Sequence, residues 1–299
     1  MKKVLIGLAG ILIIAGIVLY FTSRPKLEAD GSYTPSKLAL MLATVQKTDF
    51  ENIEYEKYQG NKSKILVIFT ENKDLKMQND KLFSTGNHPI EALLPMLHLK
   101  NAGFNFEIAT PTGKPVVFEM WAFPNEDENV KAIYNELKSS FEQPLNLKEF
   151  IDSSFNDTES YAAVFVPGGH GAMIGIPQDR NVGKILNWAH NNDLFTISLC
   201  HGPGSFLATT LDNQQFIYEG YNMAVFPDAI DAQTPMIGYL PGNMPHGLSE
   251  KLKGLGANIV NTESDATVVV DRKLITGASP LASNELGKLA ATTLLKEVK

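Results

Sequence analysis

The sequence predicts an α/β fold, in which helices cover both faces of a mainly parallel β-sheet to make three layers. Short apolar runs, such as residues 65–69 and 161–166, alternate along the chain with longer segments of helical pattern. Strands buried on both faces are apolar along their whole length, and such strands alternating with helices are typical of parallel sheets. A third observation adds one element, because an uncharged stretch near the N-terminus predicts a transmembrane helix before the sandwich.

Composition and charge narrow the class of protein. The 299 residues are 44% hydrophobic and 20% charged, which is typical of a globular chain. The formal charge of −7 argues against a nucleic-acid partner, because binding a phosphate backbone needs a basic face. The single cysteine excludes a disulfide within the chain and leaves a free thiol.

Residues 1–26 are predicted to be a membrane anchor. Residues 4–21 carry no charge, and Lys2 and Lys3 stand before them. A helix of this length spans about 27 Å, just enough to cross the hydrocarbon core of a bilayer. No small-residue cleavage site follows cleanly, so an uncleaved signal anchor is expected. The expected location is therefore a membrane, with the rest of the chain on the extracytoplasmic face and the cytoplasmic face as the alternative.

The remaining chain divides into two segments. Residues 27–59 are polar and mixed, and they are expected to form a tether or an extension packed on the domain. Residues 60–299 carry the alternating pattern and form the domain. Its predicted strands are 65–69, 104–109, 161–166, 194–199, 258–260, 267–270 and 273–276. Its predicted helices begin near Pro89, which suits a first helical turn, and then cover most of 127–154, 179–191 and 279–296.

The only cysteine of the chain stands where an apolar strand ends. The run 194–199 leads into Cys200, and His201 and the turn-prone group 202–204 follow at once. This pattern indicates a buried strand that enters a tight turn, with a reactive side chain at the turn and a helix behind it. A nearby helix N-terminus would favour the thiolate form of Cys200. The alternative is that Cys200 is a small buried hydrophobic residue.

Two further loops at the same edge of the sheet carry polar groups. Ligands of parallel sheets bind at the carboxyl ends of the strands. The loop after the first strand leads to Glu91, and the loop after the strand 161–166 contains Gly168 and Gly169. Glycines let backbone N–H groups approach a developing oxyanion. Glu91 has a second interpretation, since acidic residues are common in the first turn of a helix.

Four motifs resemble the PfpI-type branch of the class I glutamine-amidotransferase-like superfamily. They are FSTGNHPIE at 83–91, YAAVFVPGGHG at 161–171, SLCHGP at 198–203 and AVFPDAID at 224–231. Within that branch the resemblance is to the heat-shock protein 31 subfamily, known as a chaperone and as the cofactor-independent glyoxalase III. The resemblance covers about residues 60–297 and implies a flavodoxin-like sandwich.

The resemblance also implies roles for single residues. Cys200 would be the nucleophile on a strained elbow, with Glu91 reaching towards its sulfur. His201 would be the histidine of a catalytic triad. Its acidic partner would come from the segment that follows Phe226: Asp231 is the first choice and Asp228 the second. The bland alternative for both aspartates is that they bind their own backbone in a loop.

The glycine-rich loop would bind the substrate. The resemblance places the backbone N–H groups of Gly169 and His201 in an oxyanion hole, and Gly168 and His170 belong to the same loop. The subfamily also has a zinc site built from two histidines and a glutamate. The matching positions here are Lys100, Asn105 and Leu137, none of which keeps its ligand type, so we expect neither a metal nor another cofactor.

The chemistry of these groups suits a 2-oxoaldehyde such as methylglyoxal. A thiolate adds to the aldehyde, a carboxylate moves a proton between adjacent carbons, and hydrolysis releases D-lactate. The expected function is this glyoxalase III-type reaction in carbonyl-stress protection, with deglycation as a related activity. The alternatives are a stress-related holdase that binds unfolded proteins, a cysteine peptidase or amidase, and a redox sensor. A homodimer is among the assemblies that the resemblance suggests.

Overall fold

A sheet of seven strands forms the centre of the protein in a computed structural model that describes residues 22–298. The strands of this part of the chain are β1 (Lys26–Leu27), β2 (Ser32–Thr34), β3 (Lys64–Ile68), β4 (Asp74–Lys76), β5 (Leu82–Ser84), β6 (Asn105–Thr110), β7 (Leu145–Asn146), β8 (Tyr161–Val166), β9 (Phe195–Leu199), β10 (Asn222–Met223), β11 (Asn258–Ile259), β12 (Val268–Asp271) and β13 (Leu274–Gly277). The central sheet has the order β12-β13-β9-β8-β3-β6-β7. Its strands run parallel, apart from the antiparallel pair β12–β13 at one edge.

Helices cover both faces of this sheet. The α-helices are α1 (Lys37–Ala43), α2 (Pro89–Asn101), α3 (Glu128–Glu142), α4 (Leu147–Ser154), α5 (Arg180–Asn191), α6 (Asp228–Asp231), α7 (Leu248–Gly254) and α8 (Ser283–Glu297). Short 3-10 helices occupy Met120–Ala122, His170–Met173, Ile176–Gln178, Gly202–Asn213, Thr234–Ile237 and Pro280–Ala282. The predicted three-layer α/β sandwich is therefore confirmed.

The central strands are buried from both sides because both of their faces are apolar. Along β3, Ile65 and Val67 belong to the hydrophobic cluster under α2 and α8, whereas Leu66 and Ile68 belong to the cluster on the opposite face, under α5. Successive side chains of a strand point to opposite faces, so an unbroken apolar run serves two cores at once.

The register between neighbouring strands brings the loops of the site together. In the pair β8–β9, Val166 lies opposite Ser198, so the chain leaves both strands at nearly the same level. The glycine-rich loop after β8 therefore lies beside Cys200. In the pair β9–β13, Leu199 lies opposite Gly277. A Cβ on Gly277 would lie only 3.0 Å from Leu199 Cδ1, so the glycine leaves room for this side chain.

Residues 22–59 are an ordered part of the structure that covers the domain. Strand β2 pairs with β5, in a small sheet of order β1-β2-β5-β4. Helix α1 begins after Ser36, whose Oγ accepts a hydrogen bond from the N–H of Ala39 and donates one to the carbonyl of Ile237. The sequence did not predict this small sheet, because two- and three-residue strands leave little periodicity to detect.

The predicted N-terminal transmembrane helix requires a correction. Among residues 22–298, no helix is long and apolar enough to cross a membrane. Residues 4–21, which carried the prediction, lie outside the described residues. The prediction depended on the length of this uncharged stretch, and nothing in the described fold supports it. The described part of the chain therefore does not support the N-terminal transmembrane helix in the fold class or the membrane-anchored location.

Candidate functional site

Cys200 lies on a strained turn at the carboxyl end of β9. Its φ is +60°, in the left-handed region that a residue with a side chain rarely adopts. The surrounding structure holds this conformation, since the Cys200 N–H donates to the carbonyl of Gly277 at 2.8 Å. The Cys200 carbonyl accepts from the N–H of Phe226 at 2.9 Å. The predicted helix behind the turn is present, although as the 3-10 helix Gly202–Asn213.

His201 connects the thiol to a buried carboxylate. Its Nδ1 lies 3.3 Å from Cys200 Sγ, and its Nε2 lies 2.8 Å from Asp231 Oδ2. Asp228 takes no part in this chain of contacts. Its carboxylate instead accepts hydrogen bonds from backbone N–H groups in the first turn of α7, among them that of Leu248 at 2.7 Å.

Asp231 also binds a second histidine. His170 Nε2 lies 3.0 Å from Asp231 Oδ1, and the rings of His170 and His201 are 4.1 Å apart. Burial acts to raise the pKa of Asp231, but the two histidines outweigh burial and hold this pKa well below its usual range. The carboxylate is therefore ionised at neutral pH, and it accepts at both oxygens. Sequence analysis placed His170 in the substrate loop without predicting this bond.

Glu91 lies in the first turn of α2, 1% exposed and next to the sulfur. Its carboxyl group faces the Cys200 thiol and the N–H of Gly169, both of which act to lower its pKa, and its Oε2 has no hydrogen-bond partner among residues 22–298. Burial, together with the nearby Glu119 carboxyl, raises the pKa of Glu91 well above its usual value. The same burial, together with Glu91 and Asp231, raises the pKa of the Cys200 thiol.

The expectation that Cys200 favours the thiolate is therefore wrong for the empty site. A helix N-terminus lowers a thiol pKa only where no stronger effect opposes it. Here Cys200 is 2% exposed and faces two acidic groups, Glu91 and Asp231. The thiol and the Glu91 carboxyl titrate as a pair and keep at least one proton between them at neutral pH.

The two glycines beside Glu91 are required by space and by backbone conformation. A Cβ on Gly168 would lie 1.8 Å from Glu91 Oε2 and 2.5 Å from the carbonyl of Leu199. Gly169 has φ +101°, and a Cβ there would lie 2.5 Å from the backbone N of His88. The loop after β8 therefore approaches α2 and the Cys200 turn more closely than any residue with a side chain would allow.

Cys200, His201, Glu91, His170 and Gly169 line one cavity of about 340 Å³. Its floor is polar, formed by the side chains of His88, Glu91, Glu119, His170, Cys200, His201 and Tyr239. Its walls and opening are apolar, formed mainly by Leu42, Val45, Phe226, Ile230, Ile237 and Leu281. Residues 22–59 thus contribute part of the wall through the end of α1.

Neither Glu119 nor Tyr239 was predicted from the sequence as a residue of the site. One signal was available for Glu119, because it is the only charged residue in the aromatic run 118–123. A glutamate among aromatic residues either points to solvent or is buried with a polar partner or a function. Tyr239 carries no local signal, since it comes from a segment far along the chain that folds over the cavity.

The positions of the family zinc site hold a different arrangement. Lys100 forms an ion pair with Glu136, and Leu137 packs against the hydrophobic cluster under α2 and α8. In the described part of the chain, one group of three ligand-type side chains is close enough to bind a metal ion: His170, His201 and Asp231. The Nε2 atoms of both histidines are already hydrogen-bonded to the Asp231 carboxylate, so these atoms have partners without a metal ion.

Comparison with known proteins gives strong matches to curated relatives. No protein-family model matches the chain. The protein/nucleic acid deglycase HchA of Escherichia coli O7:K1 is 48% identical over 269 residues, which are 90% of this chain and 94% of that protein.

Two solved structures have the same fold. Glyoxalase III of Candida albicans aligns with a TM-score of 0.61 at 20% identity, covering 78% of this chain and 98% of that one. A ThiJ/PfpI domain protein of Brachyspira murdochii aligns with a TM-score of 0.50 at 15% identity, covering 80% of this chain and 100% of that one. At these identities the two structures establish the fold alone.

Proposed function

Since the chain belongs to the HchA, or heat-shock protein 31, family within the PfpI branch, we propose that it is an enzyme that converts methylglyoxal to D-lactate without a cofactor. One observation carries the proposal. One cavity is lined by the Cys200 thiol, the Glu91 carboxyl group that faces it and His201, whose ring is bound from behind by Asp231. A nucleophile, an acid–base group and an orienting pair are the parts that this chemistry needs.

The first half of the reaction is the capture of the aldehyde. The sulfur of Cys200 attacks the aldehyde carbon, and the thiol proton passes through Glu91 to the former aldehyde oxygen. The product is a hemithioacetal, which needs no bulk water in the cavity. The backbone N–H groups of Gly169 and His201 stabilise the negative charge that develops on this oxygen. The raised pKa of the Cys200 thiol fits this sequence of events, because the thiol then loses its proton only as the carbon–sulfur bond forms.

The second half is an isomerisation followed by hydrolysis. The Glu91 carboxylate takes the hydrogen of the first carbon and returns it to the second, which converts the hemithioacetal into a thioester of lactate. Water then attacks the thioester carbonyl, with His201 as its base, and the carbon–sulfur bond breaks. Asp231 holds the His201 Nε2 proton, so Nδ1 is the nitrogen left to accept a proton.

The same thiol serves a deglycase reaction. Methylglyoxal adds reversibly to an amine to give a carbinolamine, whose first carbon carries a hydroxyl group and nitrogen. If Cys200 attacks this carbon, a carbon–sulfur bond forms, the carbon–nitrogen bond breaks, and the amine leaves with a proton. The product is the hemithioacetal described above. The name of the HchA relative, a protein/nucleic acid deglycase, supports this extension.

The exclusion of nucleic acid as a partner requires a correction. It rested on the net charge of −7, which argues against a basic face for the phosphate backbone. A deglycase acts on an adduct of a base and needs no such face, and the 48%-identical relative is named for proteins and nucleic acids alike. The negative net charge therefore argues only against tight binding of the phosphate backbone. Glycated nucleotides remain among the proposed substrates.

Two variants test the enzyme. Cys200→Ser and Glu91→Gln are each expected to remove D-lactate formation from methylglyoxal, because one removes the nucleophile and the other the proton carrier. Stereospecific lactate detection after incubation with methylglyoxal is the measurement. Glu54→Gln, a change of an exposed glutamate, is the matched control and keeps wild-type activity. Wild-type rates in either site variant would contradict the mechanism.

A holdase function is the second candidate, and one observation favours it. The opening of the cavity is bordered by exposed apolar side chains, including Leu42 at 62% and Leu281 at 63% exposure, with Met236 at 73% beside Ile237. Apolar surface of this kind binds unfolded protein without help from a thiol. Suppression of aggregation that persists unchanged in Cys200→Ser separates the two functions.

A further inference from the structure

The cavity contains a second carboxylic acid that the chemistry above does not use. Glu119 lines the same floor as Glu91 and Cys200, and it is 1% exposed. Its Oε1 accepts a hydrogen bond from the hydroxyl group of Thr85. Its Oε2 has no partner in hydrogen-bond geometry among residues 22–298, although the backbone N–H groups of Gly86 and His170 face the carboxyl group and act to lower its pKa. Leaving a buried polar atom without a partner is unfavourable, so this oxygen indicates a ligand that completes the bond.

The backbone fixes Glu119 beside the segment that carries Glu91. The N–H of Glu119 donates to the carbonyl of Asn87 at 3.0 Å, and the N–H of Asn87 donates to the carbonyl of Val117 at 2.8 Å. This short bridge joins the loop before α2 to the loop before the 3-10 helix Met120–Ala122. The two carboxyl groups are thus held by one rigid unit, as an acid–base site requires.

The surroundings of Glu119 keep it available to both give and accept a proton. Burial raises the pKa of Glu119 to about 7, against the opposing effects of His170 and of the Thr85 hydroxyl. Both forms are therefore populated near neutral pH, which suits proton transfer. The titratable groups that share the cavity floor with it are His88, Glu91, His170, Cys200, His201 and Tyr239.

We propose that Glu119 is a second catalytic acid–base residue, which hydrogen-bonds the ketone oxygen of the bound 2-oxoaldehyde and moves protons between its two oxygens. The inference rests on the proposed glyoxalase function. The unpartnered Oε2 of Glu119 would bind the substrate, and it would contact a different substrate oxygen from the one that receives the Cys200 proton through Glu91.

The proton balance closes without any further reactant. As Glu91 takes the hydrogen of the first carbon, the electron pair forms a carbon–carbon double bond, and the ketone oxygen receives the proton of Glu119. The product is an enediol bound to sulfur. Glu91 then returns its proton to the second carbon, while Glu119 takes the proton of the hydroxyl group on the first carbon. The result is the lactate thioester, and both glutamates regain their initial states.

Glu119→Gln tests the proposal, since glutamine keeps the size and the bond from Thr85 but transfers no proton. We expect kcat for D-lactate formation to fall by about 10²-fold, with KM changed by less than about threefold. The wild type requires protonated Glu119, so its kcat falls as the pH rises through about 7, and the variant loses this alkaline limb. Glu107→Gln is the matched control, because Glu107 also accepts from a hydroxyl group, that of Tyr161, but does not line the cavity.

A second variant keeps the test decisive if Glu119→Gln does not fold. The Thr85 hydroxyl stabilises the ionised form of Glu119, so Thr85→Val raises the pKa of Glu119 further, and the alkaline limb is expected to move to higher pH. An unchanged limb in Thr85→Val, or wild-type kcat in a folded Glu119→Gln, overturns the role of Glu119. Absence of lactate formation in the wild type overturns the proposed function instead, so the two failures are distinguishable.

Discussion

Asp231 shows how one carboxylate organises two histidines of the cavity. It is bound by His201 through Oδ2 and by His170 through Oδ1, and all three side chains are buried. Since an ionised carboxylate only accepts hydrogen bonds, each histidine is held with its Nε2 proton towards Asp231. His201 then presents an unprotonated Nδ1 to Cys200 Sγ, 3.3 Å away. The tautomer of His201 is thus set by a residue that the substrate does not touch.

The first prediction at this scale separates the two aspartates that the sequence left open. Asp231→Asn is expected to lower kcat for D-lactate formation by about 10²-fold or more, because the amide no longer fixes the tautomer of His201. Asp228→Asn is the matched control, since Asp228 caps α7. It is expected to keep its activity and lose about 1 kcal/mol of unfolding free energy. Steady-state kinetics and thermal unfolding measure the two effects, and a reversed pattern would exclude Asp231 as the partner of His201.

At the scale of elements, the site depends on how closely the loop after β8 approaches α2. Gly168 and Gly169 bring the backbone of this loop to the Glu91 carboxyl group, and the N–H of Gly169 lies within hydrogen-bond reach of it. The parallel pairing of β8 with β9 then places Cys200 on the other side of the same carboxyl group. Two neighbouring strands and one helix N-terminus therefore define the geometry of the nucleophile.

Gly168→Ala tests this close approach. The added methyl group would overlap both Glu91 Oε2 and the carbonyl of Leu199, so the loop must move. We expect a loss of about 1–3 kcal/mol in unfolding free energy, together with loss of lactate formation. Gly254→Ala is the matched control, because nothing lies within 4 Å of a Cβ at this position in α7. Full activity in Gly168→Ala would show that the loop has more freedom than the packing indicates.

At the scale of the whole molecule, residues 22–59 belong to the structure that encloses the cavity. Thr48 binds the carboxylate of Asp127 at the start of α3, and the hydroxyl group of Tyr55 lies 2.8 Å from Nδ1 of the buried His98. Ser36 joins the start of α1 to the carbonyl of Ile237, on the opposite wall of the cavity. This segment therefore stabilises the fold and shapes the substrate opening.

A chain that begins at residue 60 is expected to be less stable and to bind substrate less well than one that begins at residue 27. The links of Ser36, Thr48 and Tyr55, which are three among several that are lost, contribute about 1 kcal/mol each, so Tm is expected to fall by at least roughly 6 °C. Loss of the wall formed by Leu42 and Val45 is expected to raise KM. Thermal unfolding and kinetics of the two chains measure this. Equal Tm values would mean that residues 27–59 are a tether without a structural role.

Much of the fold and of the site was predictable because the signals are local. The strand at 161–166 is identified to the residue by its six apolar side chains. The residues around Cys200, Glu91 and Gly169 stand in long ordered motifs. The choice between Asp231 and Asp228 was not predictable from the residues, because both stand in one short helix and only the direction of each side chain distinguishes them.

The sequence by itself determined the α/β architecture and the family resemblance that makes Cys200 the proposed nucleophile, since apolar periodicity and short motifs depend on neighbours along the chain. Only the tertiary structure showed the burial and the acidic neighbours that raise the pKa of Cys200, the second histidine on Asp231 and the place of Glu119. Each of these depends on burial and on groups far apart in sequence: Glu91 and Cys200, His170 and Asp231, Thr85 and Glu119. Desolvation acts through the whole enclosure of the cavity, so it has no signature in any single stretch of the chain.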